Sequence, residues 1–140
     1  MKYITGLYAL SIPCELETCG YLRGNTLDWN NPTIIESDDS IFSDYGIEYK
    51  LGIPNNSNKC HIANHIRAIL DMLDSCDFSN LLGMRDNYIN NEEYTPIILS
   101  KVGRIIKNSD KVKADKINSF MELEYNWDWQ IYKQKEHLKV

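Results

Sequence analysis

Two histidines carry the first chemical suggestion in this sequence. His61 and His65 stand four residues apart in Cys60-His61-Ile62-Ala63-Asn64-His65-Ile66-Arg67, and on a helix that spacing sets two imidazoles on one face, where they can grip a metal ion. Two ligands do not complete a site. A third would have to come from Cys14, Cys19 or a carboxylate such as Asp44, brought in by folding. Cys14 and Cys19 are spaced more loosely than a zinc knuckle, so the sequence predicts neither a bound metal nor a cofactor. The imidazoles are then structural, one packed under a sheet and the other capping or facing water.

The same stretch offers a hydrolytic reading. His65 as general base, with Arg67 or Arg85 gripping a phosphate near an acidic loop, is the equipment of a small nuclease. Against it, Arg67 and Asp71 have the i, i+4 spacing of an ordinary pair on a solvated helix face. A thiol nucleophile at Cys14 or Cys19 would need an imidazole or a helix N-terminus beside it to lower its pKa. Both cysteines fall in strand or turn, so the expectation is a buried, reduced thiol. No residue is therefore assigned to catalysis, with His65 and Arg67 kept as the candidates. Phosphate-cradling glycine loops, dinucleotide fingerprints, HExxH and kinase signatures are absent.

Two further constellations suit binding better than catalysis. Glu36, Asp38, Asp39, Asp44 and Glu48 form an acidic run that either is solvated, holds a divalent cation, or mimics a nucleic-acid backbone as an inhibitor would. Tyr125, Trp127, Trp129 and Tyr132 crowd together beside Lys133 and Lys135. Two tryptophans two positions apart cannot both be buried by one helix face, so one ring is left for a partner, a strand-like ending or a stacked base. These four aromatics are the expected binding surface.

The elements that must position these residues follow from the hydrophobic rhythm. At 140 residues the chain has the size of one domain with one core. A hydrophobic fraction of 43% and a charged fraction of 25% argue against wholesale disorder. Up to Leu51 the pattern reads as strands: Tyr3–Leu10, stopped by Pro13; a hairpin of Thr26–Trp29 and Thr33–Glu36 around Asn30-Asn31-Pro32; and an edge strand Ile47–Leu51. Gly52–Asn58 is a loop. From Cys60 the period becomes helical, with Ile62, Ile66, Ile69, Leu70 and Leu73 on one face and Asn58 or Ser57 as cap. A short helix follows at Asp77–Leu82, checked by Gly83, then one from Asn90/Asn91 with Pro96 in its first turn, and a last one from about Val112 into the 130s. The expected fold is α+β: an N-terminal antiparallel sheet (1–53) packed against three to four C-terminal helices (58–140), in a single domain over 1–140.

Charge is uneven. Residues 1–60 and 61–100 each carry a net −4, and 101–140 carry +3. An acidic body disfavours wrapping nucleic acid, whose phosphates need neutralising, although the Lys101–Lys116 stretch leaves such a contact open. No run approaches the roughly 18 apolar residues of a membrane span, and Glu15 and Glu17 follow the short apolar N-terminus with no cleavage signature. Without a secretion signal the four cysteines are expected to stay reduced, in the cytoplasm.

The segments Tyr3–Leu10, Pro13–Gly20, Ser40–Glu48 and Ala63–Ala68 together resemble a family of small bacterial mobile-element proteins found near toxin-antitoxin and abortive-infection genes of the nucleotidyltransferase type. The resemblance spans roughly residues 3 to 130. It implies a role in phage defence but no defined activity. Members of that family carry Asp-Trp-His after the second Cys-Gly, where this chain has Tyr21-Leu22-Arg23. A chemical role for that histidine would be missing here, which weakens the metal and nuclease readings. The leading expectation is a non-enzymatic protein-binding partner in a defence or toxin-antitoxin type system. The alternatives are a small nucleic-acid-acting enzyme using His65 and Arg67, and an acidic nucleic-acid mimic.

Overall fold

A computed structural model describes all 140 residues. Four short strands form one sheet in the order β2-β1-β4-β3: β1 (Lys2–Ile4), β2 (Ile34–Glu36), β3 (Ile47–Lys50) and β4 (Cys60–Ala63). β1 pairs antiparallel with β2, β3 pairs antiparallel with β4, and the central pair β1–β4 is parallel with Ile4 beside Ile62. The class is α+β as the rhythm implied, but the sheet is mixed where an all-antiparallel one was expected. A parallel pair needs a crossover between its strands, and residues 5–59, containing β2 and β3, form it.

Five α-helices cover the rest: α1 (Gly6–Leu10), α2 (His65–Asp74), α3 (Met84–Asn87), α4 (Thr95–Lys107) and α5 (Lys111–Lys135). One cluster of 28 buried apolar residues runs from Tyr3 to Trp129. At its centre lies α2, packed between α1 and α4 and buried nearly all round, with Ile66, Ile69, Leu70 and Leu73 sealed from solvent. A helix buried on every side must satisfy its polar side chains internally. That requirement organises everything around it.

Three sequence expectations are corrected. The strand at Tyr3–Leu10 stops at Ile4, because Gly6 takes a positive φ of 69° and the apolar run Leu7-Tyr8-Ala9-Leu10 coils into α1 against α2. Short apolar runs satisfy either period, and tertiary packing decides. The hairpin keeps only its second arm: Asp28 accepts from Asn30 N–H and the Asn31 side chain, a tight turn that folds Trp29 edge-on against Tyr8 at 5.1 Å, so Ile34–Glu36 pairs with β1 instead. The helix read from Cys60 starts at His65. Cys60–Ala63 is a strand wedged between β1 and β3, and Asn64 is the cap, its side chain accepting from Arg67 N–H at 2.8 Å. The acidic turn before α4, Pro96 in its first turn, and the Asn108–Asp110 break stand where the sequence put them.

The last helix is two arms. Asn126 has φ 46° and ψ −119°, outside the helical region. Across it Trp129 Nε1 donates to Asn118 Oδ1 at 2.9 Å, and Lys133 Nζ donates to the same oxygen at 2.9 Å. A straight helix would hold those residue pairs roughly 16 and 22 Å apart along its axis. The chain therefore turns at Asn126 and lays its second arm back over the first.

Candidate functional site

The two histidines are not on one helix face. His61 belongs to β4 and stacks on Tyr49 of the neighbouring strand, centroids 4.5 Å apart. His65 opens α2 and is almost fully buried. No group of three or more His, Cys, Asp or Glu side chains is arranged to hold a metal ion. The extended conformation of Cys60–Ala63 removes the geometry on which the metal hypothesis stood.

His65 is a clamp on the preceding loop. Its Nε2 lies 2.8 Å from the Ile12 carbonyl, an acceptor, so Nε2 carries the proton and donates. Nδ1 then accepts from the Thr18 hydroxyl at 2.6 Å. Gly20 lies against the ring: a Cβ there would stand 2.6 Å from His65 Cε1 and 2.2 Å from the Leu10 carbonyl, and φ is +66°. On the loop that His65 holds sits Cys14, half-buried, with its sulfur 3.9 Å from Thr18 Oγ1. An imidazole and a helix N-terminus do stand beside that thiol. Only the fold shows this, since 51 residues separate the partners in sequence.

Arg67 faces a different set of neighbours and is fully buried, where a solvated pair was expected. Nε meets Asp71 Oδ1 at 3.1 Å, Nη1 donates to the Ser43 and Tyr45 carbonyls at 2.7 and 2.6 Å, and Nη2 donates to Tyr3 Oη at 2.8 Å. Tyr3 and Thr5 both donate to Asp71 Oδ2 at 2.6 Å. Burial pushes the Tyr3 phenol well above its ordinary range, and its hydrogen bond to the Asp71 carboxylate adds to that. The arginine thus ties β1, the 43–45 loop and α2 together with its charge matched. His65 and Arg67 share no pocket, so the pair proposed for hydrolysis is not assembled. Arg85 is elsewhere again, donating to Glu92, Asp128 and the Tyr125 carbonyl.

The acidic run is split. Glu36 and Asp39 border a cleft of about 530 Å³, shared with Thr5, Tyr8, Asp71 and Asp74. Glu36 is paired with the N-terminal amine, Asp71 with Arg67, and Asp74 with Lys113. Glu48 meets Lys50 and accepts from Glu15 N–H. In the basic stretch Lys101 lies over the Tyr45 ring at 4.2 Å, Arg104 donates to the Ile41 carbonyl, and Lys111 and Lys113 pair with Asp115 and Asp74, while Lys107 and Lys116 are exposed.

The C-terminal aromatics separate sharply. Tyr125 and Trp129, expected on the binding surface, are core residues, sealed because the fold at Asn126 turns both inward. Tyr132 stacks on Trp129 and rests against Gly103, where a Cβ would meet its hydroxyl at 2.6 Å. Trp127 is 79% exposed. The corner that carries it is braced from beneath by Arg85, which holds Asp128 and the Tyr125 carbonyl while lying 4.8 Å over the Tyr125 ring. Glu122, Asn126 and Gln130 border the indole around a shallow recess of about 220 Å³.

No protein-family model, curated protein or solved structure matches the chain. No helix is long and apolar enough to cross a membrane.

Proposed function

We propose that the chain is a protein-binding module that docks a partner through Trp127. The observation that supports it is the contrast within five residues: Tyr125 and Trp129 are wholly buried while the indole between them is almost wholly exposed. Exposing an aromatic surface of this size forfeits one to several kcal/mol of burial, about 25 cal/mol per Å². Tryptophan is the residue most enriched at binding hot spots. Because the corner is braced by Arg85, the backbone that carries the ring is already ordered before a partner arrives.

Around the indole the charges are already matched within the chain, Glu122 by Lys133 and Asp128 by Arg85. The complementary surface is therefore an apolar pocket that takes the indole. The resemblance of the segments quoted above is what supports placing this module in a bacterial defence or toxin-antitoxin type system. The nuclease reading loses its support, since its base and its phosphate-gripping arginine face different neighbours.

The test is capture from a native host with wild-type, Trp127→Ala and Trp127→Glu proteins, with the contact mapped by crosslinking from position 130. A partner lost with both variants while their melting temperatures stay at the wild-type value, and crosslinked from position 130, supports the reading. Retention of the partner by Trp127→Ala, or a crosslink only to a second copy of this chain, overturns it.

A further inference from the structure

We propose that Cys14 is a reactive thiol, a site for oxidation by hydroperoxides, activated through Thr18 and His65 and independent of the surface at Trp127. Three geometric facts carry it. The Thr18 hydroxyl bridges the two groups, 3.9 Å from Cys14 Sγ and 2.6 Å from His65 Nδ1. The far nitrogen of His65 is fixed by the Ile12 carbonyl at 2.8 Å, which orients the ring and matches a donor whether the imidazole is neutral or charged. His65 is also the first residue of the ten-residue helix α2, so its backbone N–H is one of the unpaired donors at the positive end of the helix dipole.

Each link has an alternative arrangement ready. With the thiol protonated, Sγ–H faces Thr18 Oγ, and the Thr18 proton points to His65 Nδ1. When the proton moves along this line, His65 becomes an imidazolium donating to Thr18 and to the Ile12 carbonyl, and the Thr18 hydroxyl donates to the sulfur anion. Burial by itself would push the Cys14 thiol up; the hydrogen bonds and charge of His65, with the Leu16 N–H, outweigh it and hold the thiol below its ordinary value. Among the other cysteines, Cys60 contacts only the Asn58 carbonyl at 3.6 Å through its sulfur, an acceptor that cannot stabilise an anion. Cys14 is half-buried, and the reaction asks only that a molecule as small as hydrogen peroxide reach its sulfur.

In the reaction the Cys14 thiolate attacks one peroxide oxygen, forming an S–O bond as the O–O bond breaks. The leaving hydroxide takes the proton held on His65 through Thr18 and departs as water. The sulfur loses two electrons to become a sulfenic acid, and the peroxide is reduced.

Competitive labelling tests this on the intact protein, with limiting iodoacetamide at neutral pH and peptide mass spectrometry of all four cysteines in one sample. Cys14 should label several-fold faster than the more exposed Cys19; the gain falls short of the gain in thiolate because nucleophilicity drops with pKa. Brief hydrogen peroxide with dimedone should place the sulfenic adduct on Cys14 first. Thr18→Val should bring the Cys14 rate down while leaving the Cys19 rate unchanged, and Thr18→Ser should restore it. Fastest labelling at Cys19, or a dimedone adduct elsewhere, overturns the proposal. An undiminished Cys14 rate in Thr18→Val, with its melting temperature preserved, overturns the activation route.

Discussion

The two halves of the molecule are held by different physics. Residues 65–135 pack by apolar rows at helical spacing: Ile66, Ile69 and Leu73 of α2, Ile98, Val102 and Ile105 of α4, Ile117, Phe120 and Met121 of α5. Residues 1–63 contain only fourteen strand residues, and most of the remainder is turn and loop. Besides their own backbone bonds, those loops are tied to the core by two buried polar side chains reaching out of α2. His65 takes the Ile12 carbonyl and Thr18, and Arg67 takes the Ser43 and Tyr45 carbonyls, Tyr3 and Asp71. A region without regular structure has backbone carbonyls to satisfy. Here a central helix supplies the donors.

The sharpest way to break this contrast is Arg67→Met, which keeps volume and removes every donor. It leaves the Asp71 carboxylate buried beside Tyr3 and Thr5 with its counter-charge gone, so a loss of about 3–5 kcal/mol is expected. Urea unfolding followed by circular dichroism measures it. A change under about 1 kcal/mol would mean the loops are held by apolar contacts after all.

Gly20→Ala attacks the His65 side of the same arrangement. The new methyl would sit 2.2 Å from a backbone carbonyl and 2.6 Å from the imidazole at a φ of +66°, so the loop must lift off the ring. A loss of about 1–3 kcal/mol is expected, since strain at such positions has that size. The Trp127 corner should be untouched, which its fluorescence can check.

Alkaline pH separates the halves less than it weakens both. Burial is the leading cause that raises the phenols of Tyr3 in the sheet and Tyr125 in the helical half above their ordinary value of 10.0. The folded state therefore keeps protons that the unfolded state releases. Stability from these groups is complete below pH 10 and is lost as pH climbs beyond it. Tyr3→Phe and Tyr125→Phe should each flatten the fall in melting temperature between pH 10 and 11.

How much could be read from the sequence follows the same division. α4 and the first arm of α5 were legible because Pro96, Asn108-Ser109-Asp110 and a sustained 3.6 period are local signals, while the turn at Asn126 that folds the second arm back was not. The end of β1 and the start of α2 were not. Tyr3–Leu10 and Cys60–Leu73 satisfy strand and helix periods alike, and the choice is made by Asn64 capping α2 and by α1 packing on it. Arg67 read as a surface residue because its pairing with Asp71 is local, while the carbonyls that justify its burial lie 22 and 24 residues away. Trp127 against Trp129 was legible as a conflict only. Which ring won depended on Asn126.

That residue offers the finest test of the comparison, because it interrupts the longest helical segment of the chain. With φ 46° and ψ −119°, Asn126 occupies a conformation natural to the first central position of a type II′ turn, where glycine is preferred. Asparagine tolerates positive φ better than most residues but still carries strain there. Asn126→Gly relieves the strain while loosening the unfolded chain, and the balance is an expected gain of about 0.5 kcal/mol or less. Asn126→Val, branched at Cβ, should lose about 1–3 kcal/mol. If the second arm returns over the first as the Trp129–Asn118 and Lys133–Glu122 contacts require, both variants keep the near-ultraviolet signature of a buried Trp129. Should Asn126→Gly instead melt lower than wild type by more than a few degrees, the turn would be held by the asparagine side chain itself and not by its backbone.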